Sequence, residues 1–329
     1  MSTTNHALRT SLVTALALLT TATTATALAA EKGTASSKPN PAAAEARADI
    51  KATLGFVPQF FLDVPEIALP GTWQEMKSLQ MNPQTTLPGK VKELIGLGVA
   101  SQIPCHYCIV AHTEFAKLNG ATKAELGEAV AMAGITRHWS TYLNGIQSDE
   151  TAFRAEIKHL TDNARKAMAN PNAAPPPSEA LVDGQSALKD INQTLGFAPE
   201  FLKRFPDVAR AGAWKTMKEV QMNPNTAVSP KYKELIGLAV ASQVPCKFCI
   251  IAHTEFAKLG GATDAEINEA IAMASFTREM STLLNGTQSD QALFSRDLSK
   301  LVNNAKAAAK ASAEPKHKNS IQPASTVTR

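Results

Sequence analysis

The stretch ELIGLGVASQIPCHYCIVAH, residues 93–112, returns almost unchanged as ELIGLAVASQVPCKFCIIAH, residues 234–253. Its first part, with Glu93, Leu94, Leu97, Val99 and Ala100, continues a helix behind Pro88, a residue suited to a first helical position. Pro104 breaks that helix. Cys105 then starts a new one, which Asn119-Gly120 ends. Further on, Thr122 with Glu125, and Thr263 with Glu266, make a capping-box pattern ahead of Ala-rich helices that run towards Asn144-Gly145 and Asn285-Gly286. Upstream, Ala42 to Leu54 is a run of helix formers stopped at Gly55, and Pro70 to Trp73 open a segment that ends near Asn82-Pro83. No strand-length alternation of Val, Ile and Thr competes with these signals. The pattern predicts an all-α fold.

The repeat holds at a constant shift of 141 residues, Cys105 to Cys246, which also maps Gly55 onto Gly196, Trp73 onto Trp214, Glu93 onto Glu234 and His112 onto His253. It needs no gap from Asp49/Asp190 to about Leu160/Leu301. Two tandem helical modules are therefore expected, at 45–162 and 186–303. Between them the Pro-rich segment 163–185 reads as a stiff, solvated linker, and the tail 304–329 as disordered. Trp73, Trp214, Met132 and Met273 are expected in the core.

With 329 residues the chain has length for two ordinary domains, each able to bury a core. Aromatic residues make up only 5%, which suits Ala- and Leu-packed helices better than a β-sandwich. The net charge is +4, and five of the basic residues lie in the tail (Lys306, Lys310, Lys316, Lys318 and Arg329). No basic stripe interleaved with aromatics suggests a nucleic-acid partner. Residues 1–29 read as a secretory signal: Arg9 on the positive flank, a short apolar run from Leu12 to Leu19, and Ala27-Leu28-Ala29 as the cleavage site. That run is too short to span a bilayer. Export to the periplasm or beyond is expected, where disulfides are permitted.

Within each module the chemistry concentrates in Glu-x11-Cys-x2-Cys-x3-His: Glu93, Cys105, Cys108, His112 and Glu234, Cys246, Cys249, His253. On a helix, spacings of three, four and seven share a face, so both cysteines and the histidine converge, and the glutamate arrives from the preceding helix. Both thiols stand near a helix N-terminus, which favours thiolate. Of seven histidines only His112 and His253 coincide under the repeat. His106, His138 and His159 face Lys247, Glu279 and Lys300, and read as surface or packing residues. Two other readings stand beside a redox pair: a structural disulfide, which leaves the Glu and His idle, and a metal site of two Cys, one His and one Glu.

This spacing resembles the alkylhydroperoxidase D-like branch of the carboxymuconolactone decarboxylase superfamily, over most of residues 45–303. The resemblance implies an all-helical bundle, often assembled into trimers or hexamers, and hence a trimer of two-module chains. It implies a thiol-dependent peroxidase that takes a hydroperoxide substrate and an unidentified thiol or dithiol reductant, with no cofactor and no bound metal. The second cysteine, Cys108 or Cys249, would be peroxidatic and the first, Cys105 or Cys246, resolving, with Glu93/His112 and Glu234/His253 as proton relays. The decarboxylase branch lacks the cysteine pair. The peroxidase pattern often has a histidine just before the second cysteine, where this chain has Tyr107 and Phe248. A thiol–disulfide oxidoreductase acting on protein thiols is the alternative activity, and a non-catalytic metal-binding helical module is a further one.

Overall fold

The computed structural model describes residues 40–170 and 180–313. They form fourteen α-helices, with no strand among the described residues. The expected leader at 1–29, the central part of the expected linker and the end of the expected tail lie outside the described residues.

In the first half, α1 (Pro41–Leu54), α2 (Gln59–Asp63) and α3 (Leu69–Glu75) lead into a π-helical turn, Met76–Gln80. Then come α4 (Gly89–Gln102), α5 (His106–Leu118), α6 (Lys123–Gly145) and α7 (Glu150–Met168). The second half repeats the order with α8 (Gly184–Leu195), α9 (Glu200–Arg204), α10 (Asp207–Thr216) and a π-helical turn, Met217–Met222. It closes with α11 (Pro230–Gln243), α12 (Lys247–Leu259), α13 (Asp264–Gly286) and α14 (Gln291–Ala313). Both expected capping boxes are formed, each threonine accepting from the backbone of the glutamate three residues on. Gly55 ends α1 at φ 83°, a left-handed conformation that costs a glycine least.

α4 is buried without interruption from Val91 to Ala100, and α11 from Lys233 to Ala241. A helix apolar on all sides must be enclosed by others. Here α4 and α11 pack against each other and against α6 and α13, so the four central helices come from both halves. Leu94, Ile95, Val99, Met132, Leu235, Ile236, Val240 and Met273 fill that centre.

The two outer cores are shared as well. Phe60, Phe61, Leu69 and Trp73 of the first half pack with Phe276, Met280, Phe294, Leu298 and Leu301 of the second. The converse core joins Trp139, Leu143, Phe153 and Ile157 of the first half to Leu202, Phe205, Trp214 and Phe248 of the second. Each half therefore lends its last two helices to cover the other, although each is long enough to enclose a core of its own. Reciprocal clasps pin the exchange. The Glu128 carboxylate accepts from the backbone N–H groups of Ala227 and Val228 at 2.7 and 2.8 Å. Glu269 accepts from those of Thr86 and Leu87 at 2.8 and 3.1 Å.

Two boundaries differ from the sequence reading. α7 continues to Met168, into the expected linker, and α14 continues to Ala313, into the expected tail. Both extensions are rich in Ala, Lys and Asn and carry no apolar stripe. Once the packed part of a helix is nucleated, strong helix formers propagate it at little cost.

Candidate functional site

Glu93 reaches the site from the middle of α4, and His112 from the second turn of α5. Their side chains meet with His112 Nδ1 2.7 Å from Glu93 Oε2, and both residues are buried, at 5% and 4% exposure. The second copy repeats this, with His253 Nδ1 2.6 Å from Glu234 Oε2. So close an approach requires a gap in the facing helix. Gly96 and Gly237 provide it: a Cβ at either position would overlap the imidazole of His112 or His253.

The connection at Ile103-Pro104 folds α5 back along α4. Cys105 becomes the N-cap of α5, its sulfur accepting the backbone N–H of Cys108 at 3.3 Å; Cys246 and Cys249 repeat the contact at 3.2 Å. Both pairs are closed as disulfides, with Cα atoms 5.3 Å apart. All four cysteines are buried, with at most 4% exposure. Among the described residues no group of three or more His, Cys, Asp and Glu side chains is arranged to hold a metal ion. No helix among them is long and apolar enough to cross a membrane.

The structure pairs Glu93 with His112 and Glu234 with His253, closes each cysteine pair, sets Cys108 and His112 on one cavity, and adds residues that sequence reasoning missed. Gln80, at the end of the first π-helical turn, donates its amide to both Glu93 oxygens at 3.0 and 3.3 Å. Gln221 does the same to Glu234 at 3.1 and 3.4 Å. Extra π-helical residues commonly mark functional positions because they re-aim a side chain without ending the helix. Lys92 fixes that turn in place: its ammonium, fully buried, donates to Leu79 O, Asn82 O and Thr85 Oγ1 at 2.8, 2.6 and 2.9 Å. Burial pushes its pKa down, against the opposing pull of Glu269 and Glu93.

The remaining additions come from the opposite half. Thr277 Oγ1, on α13, lies 3.3 Å from His112 Nε2, and Thr136 Oγ1, on α6, lies 3.1 Å from His253 Nε2. Asn285 donates towards the Cys105 sulfur at 3.7 Å. The Tyr107 hydroxyl donates to Ser289 O at 2.6 Å, so this residue, which occupies the position before the second cysteine, is tied to the backbone. A cavity of about 50 Å³ adjoins the first quartet. Cys108, His112, Gln80 and Phe60 line it from one half, and Thr277, Met280, Leu284 and Phe294 from the other. One signal for these residues was present in the chain: Gln80/Gln221, Lys92/Lys233 and Thr136/Thr277 all coincide under the 141-residue shift. Their being polar inside predicted helices could have singled them out.

His138 is partly desolvated, which lowers its pKa; it stacks edge-on against Trp139, while His159 lies flat on Phe197. Both contacts are with aromatic rings, in line with a packing role.

Two duplicated helical modules, each carrying a Cys-x-x-Cys disulfide beside a Glu–His pair, define the class. The carboxymuconolactone decarboxylase family model matches the chain twice, at residues 68–147 and 206–288, and the chain belongs to that family as a tandem duplication. A crystal structure from Burkholderia xenovorans, described as a gamma-carboxymuconolactone decarboxylase subunit, is similar with a TM-score of 0.47 and 16% identity, over 82% of this chain and 98% of that one. No curated protein matches the chain.

Proposed function

We propose that the protein is a thiol-dependent peroxidase that reduces hydroperoxides at two Cys-x-x-Cys sites. One observation carries the reading. Cys108 and His112 line one small, mostly apolar cavity, while both cysteines of the pair are buried. A thiol–disulfide oxidoreductase acting on proteins must present a sulfur for a mixed disulfide. A cysteine at 4% exposure presents none, whereas a small peroxide can enter a cavity. A decarboxylase role would leave the cysteine pairs idle.

In the reduced state the Cys108 thiolate attacks the peroxide: an S–O bond forms, the O–O bond breaks, and the departing alkoxide takes a proton. The resulting sulfenic acid condenses with the Cys105 thiol, forming the disulfide and releasing water. A small-molecule dithiol, able to enter where a protein thiol cannot, reopens it by exchange. Thiolate formation alone gives little. Lowering a thiol pKa by about two units raises the ionised fraction roughly 25-fold, while nucleophilicity falls nearly tenfold. Positioned proton transfer, typically worth about 10² to 10⁴, must supply more. The Glu93–His112 and Glu234–His253 pairs are the groups assigned to it.

Export of the chain, suggested by residues 1–29, fits the closed disulfides, which persist in oxidising compartments.

The test is consumption of cumene hydroperoxide with dithiothreitol, by the wild type and by a protein carrying both Cys108→Ser and Cys249→Ser. Turnover in the first and its absence in the second is expected. Turnover of disulfide substrates with no peroxide consumption would replace this reading with the oxidoreductase one.

A further inference from the structure

Both nitrogens of the site imidazole are engaged. Nδ1 faces the Glu93 carboxylate, whose two oxygens already accept from Gln80, so Nδ1 carries a proton and donates it to Glu93. Nε2 is then the acceptor, and the group it faces is the Thr277 hydroxyl. With a partner on each nitrogen, the ring has no free nitrogen to take a proton directly from a thiol. Thr277 lines the cavity together with Cys108 and His112, and its hydroxyl is the group bonded to the imidazole Nε2. Tyr107 is committed elsewhere, to Ser289 O.

We propose that Thr277 and Thr136 are proton-relay residues acting across the halves: Thr277 links His112 to the Cys108 site, and Thr136 links His253 to the Cys249 site. This rests on the thiol chemistry of the previous section, on Thr277 and Cys108 lining one cavity, and on the threonine–histidine contact being built twice from different helices. A hydroxyl can donate and accept at once. As the Cys108 thiol gives its proton to Thr277 Oγ1, the threonine's own proton passes to His112 Nε2. The products are a thiolate and an imidazolium held by Glu93. When the peroxide O–O bond breaks, the sequence runs backwards: Thr277 gives its proton to the alkoxide oxygen and recovers one from Nε2. No proton is gained or lost by the relay. The consequence for the duplication is direct, since neither half contains a complete relay.

The experiment reads each cysteine separately. Reduced protein is alkylated with iodoacetamide from about pH 5 to 9, and the modified peptides are quantified by mass spectrometry. Thr277→Val is expected to slow alkylation of Cys108 about tenfold near neutral pH, moving its profile up by about one unit, and to leave Cys249 unchanged. Thr136→Val is expected to do the reverse, while Thr277→Ser and Thr136→Ser keep the wild-type profiles. If either valine variant fails to fold, the corresponding alanine variant carries the same expectation. Wild-type profiles in valine or alanine variants, or a loss confined to the cysteine in the same half as the substitution, would overturn the proposal. A wild type that consumes no peroxide but shows the crossed alkylation pattern would sink the peroxidase reading alone.

Discussion

The two quartets share every polar member, yet the walls that enclose them differ. Met280 and Phe276 stand beside the Cys108 cavity; the shift of 141 residues puts Trp139 and Ile135 in their places beside Cys249. Met280 is an unbranched thioether able to change rotamer and make room. Trp139 is clamped by rings on several sides: its centroid lies 5.2 Å from both Phe201 and Phe205, 4.8 Å from His138 and 6.1 Å from Tyr142. The counterparts of Phe205, His138 and Tyr142 are Val64, Glu279 and Leu283, so the clamp is particular to one site. Duplication preserved the Glu, His and Cys residues and let their surroundings diverge. On the proposed function, the two sites would share their chemistry and differ in what they admit.

That contrast breaks first under single-site assays. A protein with Cys249→Ser reports the first site, and one with Cys108→Ser the second. With cumene hydroperoxide the first is expected to turn over about tenfold faster or more, the scale at which pocket-wall differences discriminate apolar groups. Hydrogen peroxide should narrow the gap. Trp139→Met in the Cys108→Ser background should raise turnover of the bulky peroxide, and Met280→Trp in the other background should lower it. Equal rates with both peroxides in the unswapped pair would show that the walls do not govern entry.

Gly96→Ala and Gly237→Ala test the part both sites share. The added methyl overlaps the imidazole, so the ring must move. A displacement of about 1 Å can cost 10²-fold in rate, and overpacking costs about 1–3 kcal/mol of stability. Gly96→Ala assayed in the Cys249→Ser background, and Gly237→Ala in the Cys108→Ser background, should lose rate to a similar degree. A variant with wild-type activity would mean that the His–Glu contact is dispensable.

How much of this was legible in the chain follows from the kind of signal each part left. Glu93, Cys105, Cys108 and His112 were readable because helical spacing and a cysteine pair are local properties. The helices were readable from Pro88, Pro104, the capping boxes and the glycine stops. Thr277 was readable only as a repeated polar position: its partner His112 is 165 residues away, and the repeat does not tell which helix a threonine faces. Gln80 was hidden for a different reason: its aim depends on an extra π-helical residue that hydrophobic periodicity does not reveal. The exchange of α7 and α14 was likewise silent, since an apolar stripe such as Phe294, Leu298 and Leu301 specifies that a face is buried and not which half buries it.

The lysines beneath the π-helical turns differ in their anchoring. Lys92 donates to two carbonyls and to Thr85 Oγ1, whereas the donations of Lys233 go to Val220 O and Asn223 O at 2.7 and 2.8 Å. Replacement by Met leaves those buried acceptors unmade, at about 1–3 kcal/mol each before relaxation. Lys92→Met should therefore destabilise more than Lys233→Met in urea unfolding. Both ammonium groups titrate below the ordinary lysine value because burial disfavours the charge. Between the lowered folded value and the ordinary 10.5, the unfolded chain binds more protons, so wild-type stability gains from these groups as pH rises through that window. Each Met variant should lose its share of that gain. A pH slope unchanged in both would place the titration elsewhere.

The subtlest comparison is between the two clasps that join the halves. Burial works against the charge on Glu128, but the backbone N–H groups of Val228 and Ala227 overcome it and hold the carboxyl below its ordinary value. Glu269 is shifted the same way: burial opposes the charge, and the Thr85 and Thr86 side chains with the Leu87 and Thr86 N–H groups outweigh it. Thr86 also donates its hydroxyl to Glu269, while its counterpart Ala227 has none to donate to Glu128. A depressed carboxyl contributes stability that is present above the ordinary value of 4.5 and is lost as pH falls through the lowered folded value. Gln in place of either glutamate keeps one acceptor oxygen and removes the charge, at a cost of about 1 kcal/mol. Glu269→Gln should cost more at neutral pH than Glu128→Gln, by roughly the worth of one hydrogen bond to a charged acceptor. The difference should vanish in acid, where the wild-type carboxyls are themselves protonated. Unfolding midpoints at pH 7 and about pH 3 measure both terms. Equal losses at neutral pH would make the threonine hydroxyl irrelevant to the clasp, and a gap that survives in acid would show that it does not act through the carboxylate charge.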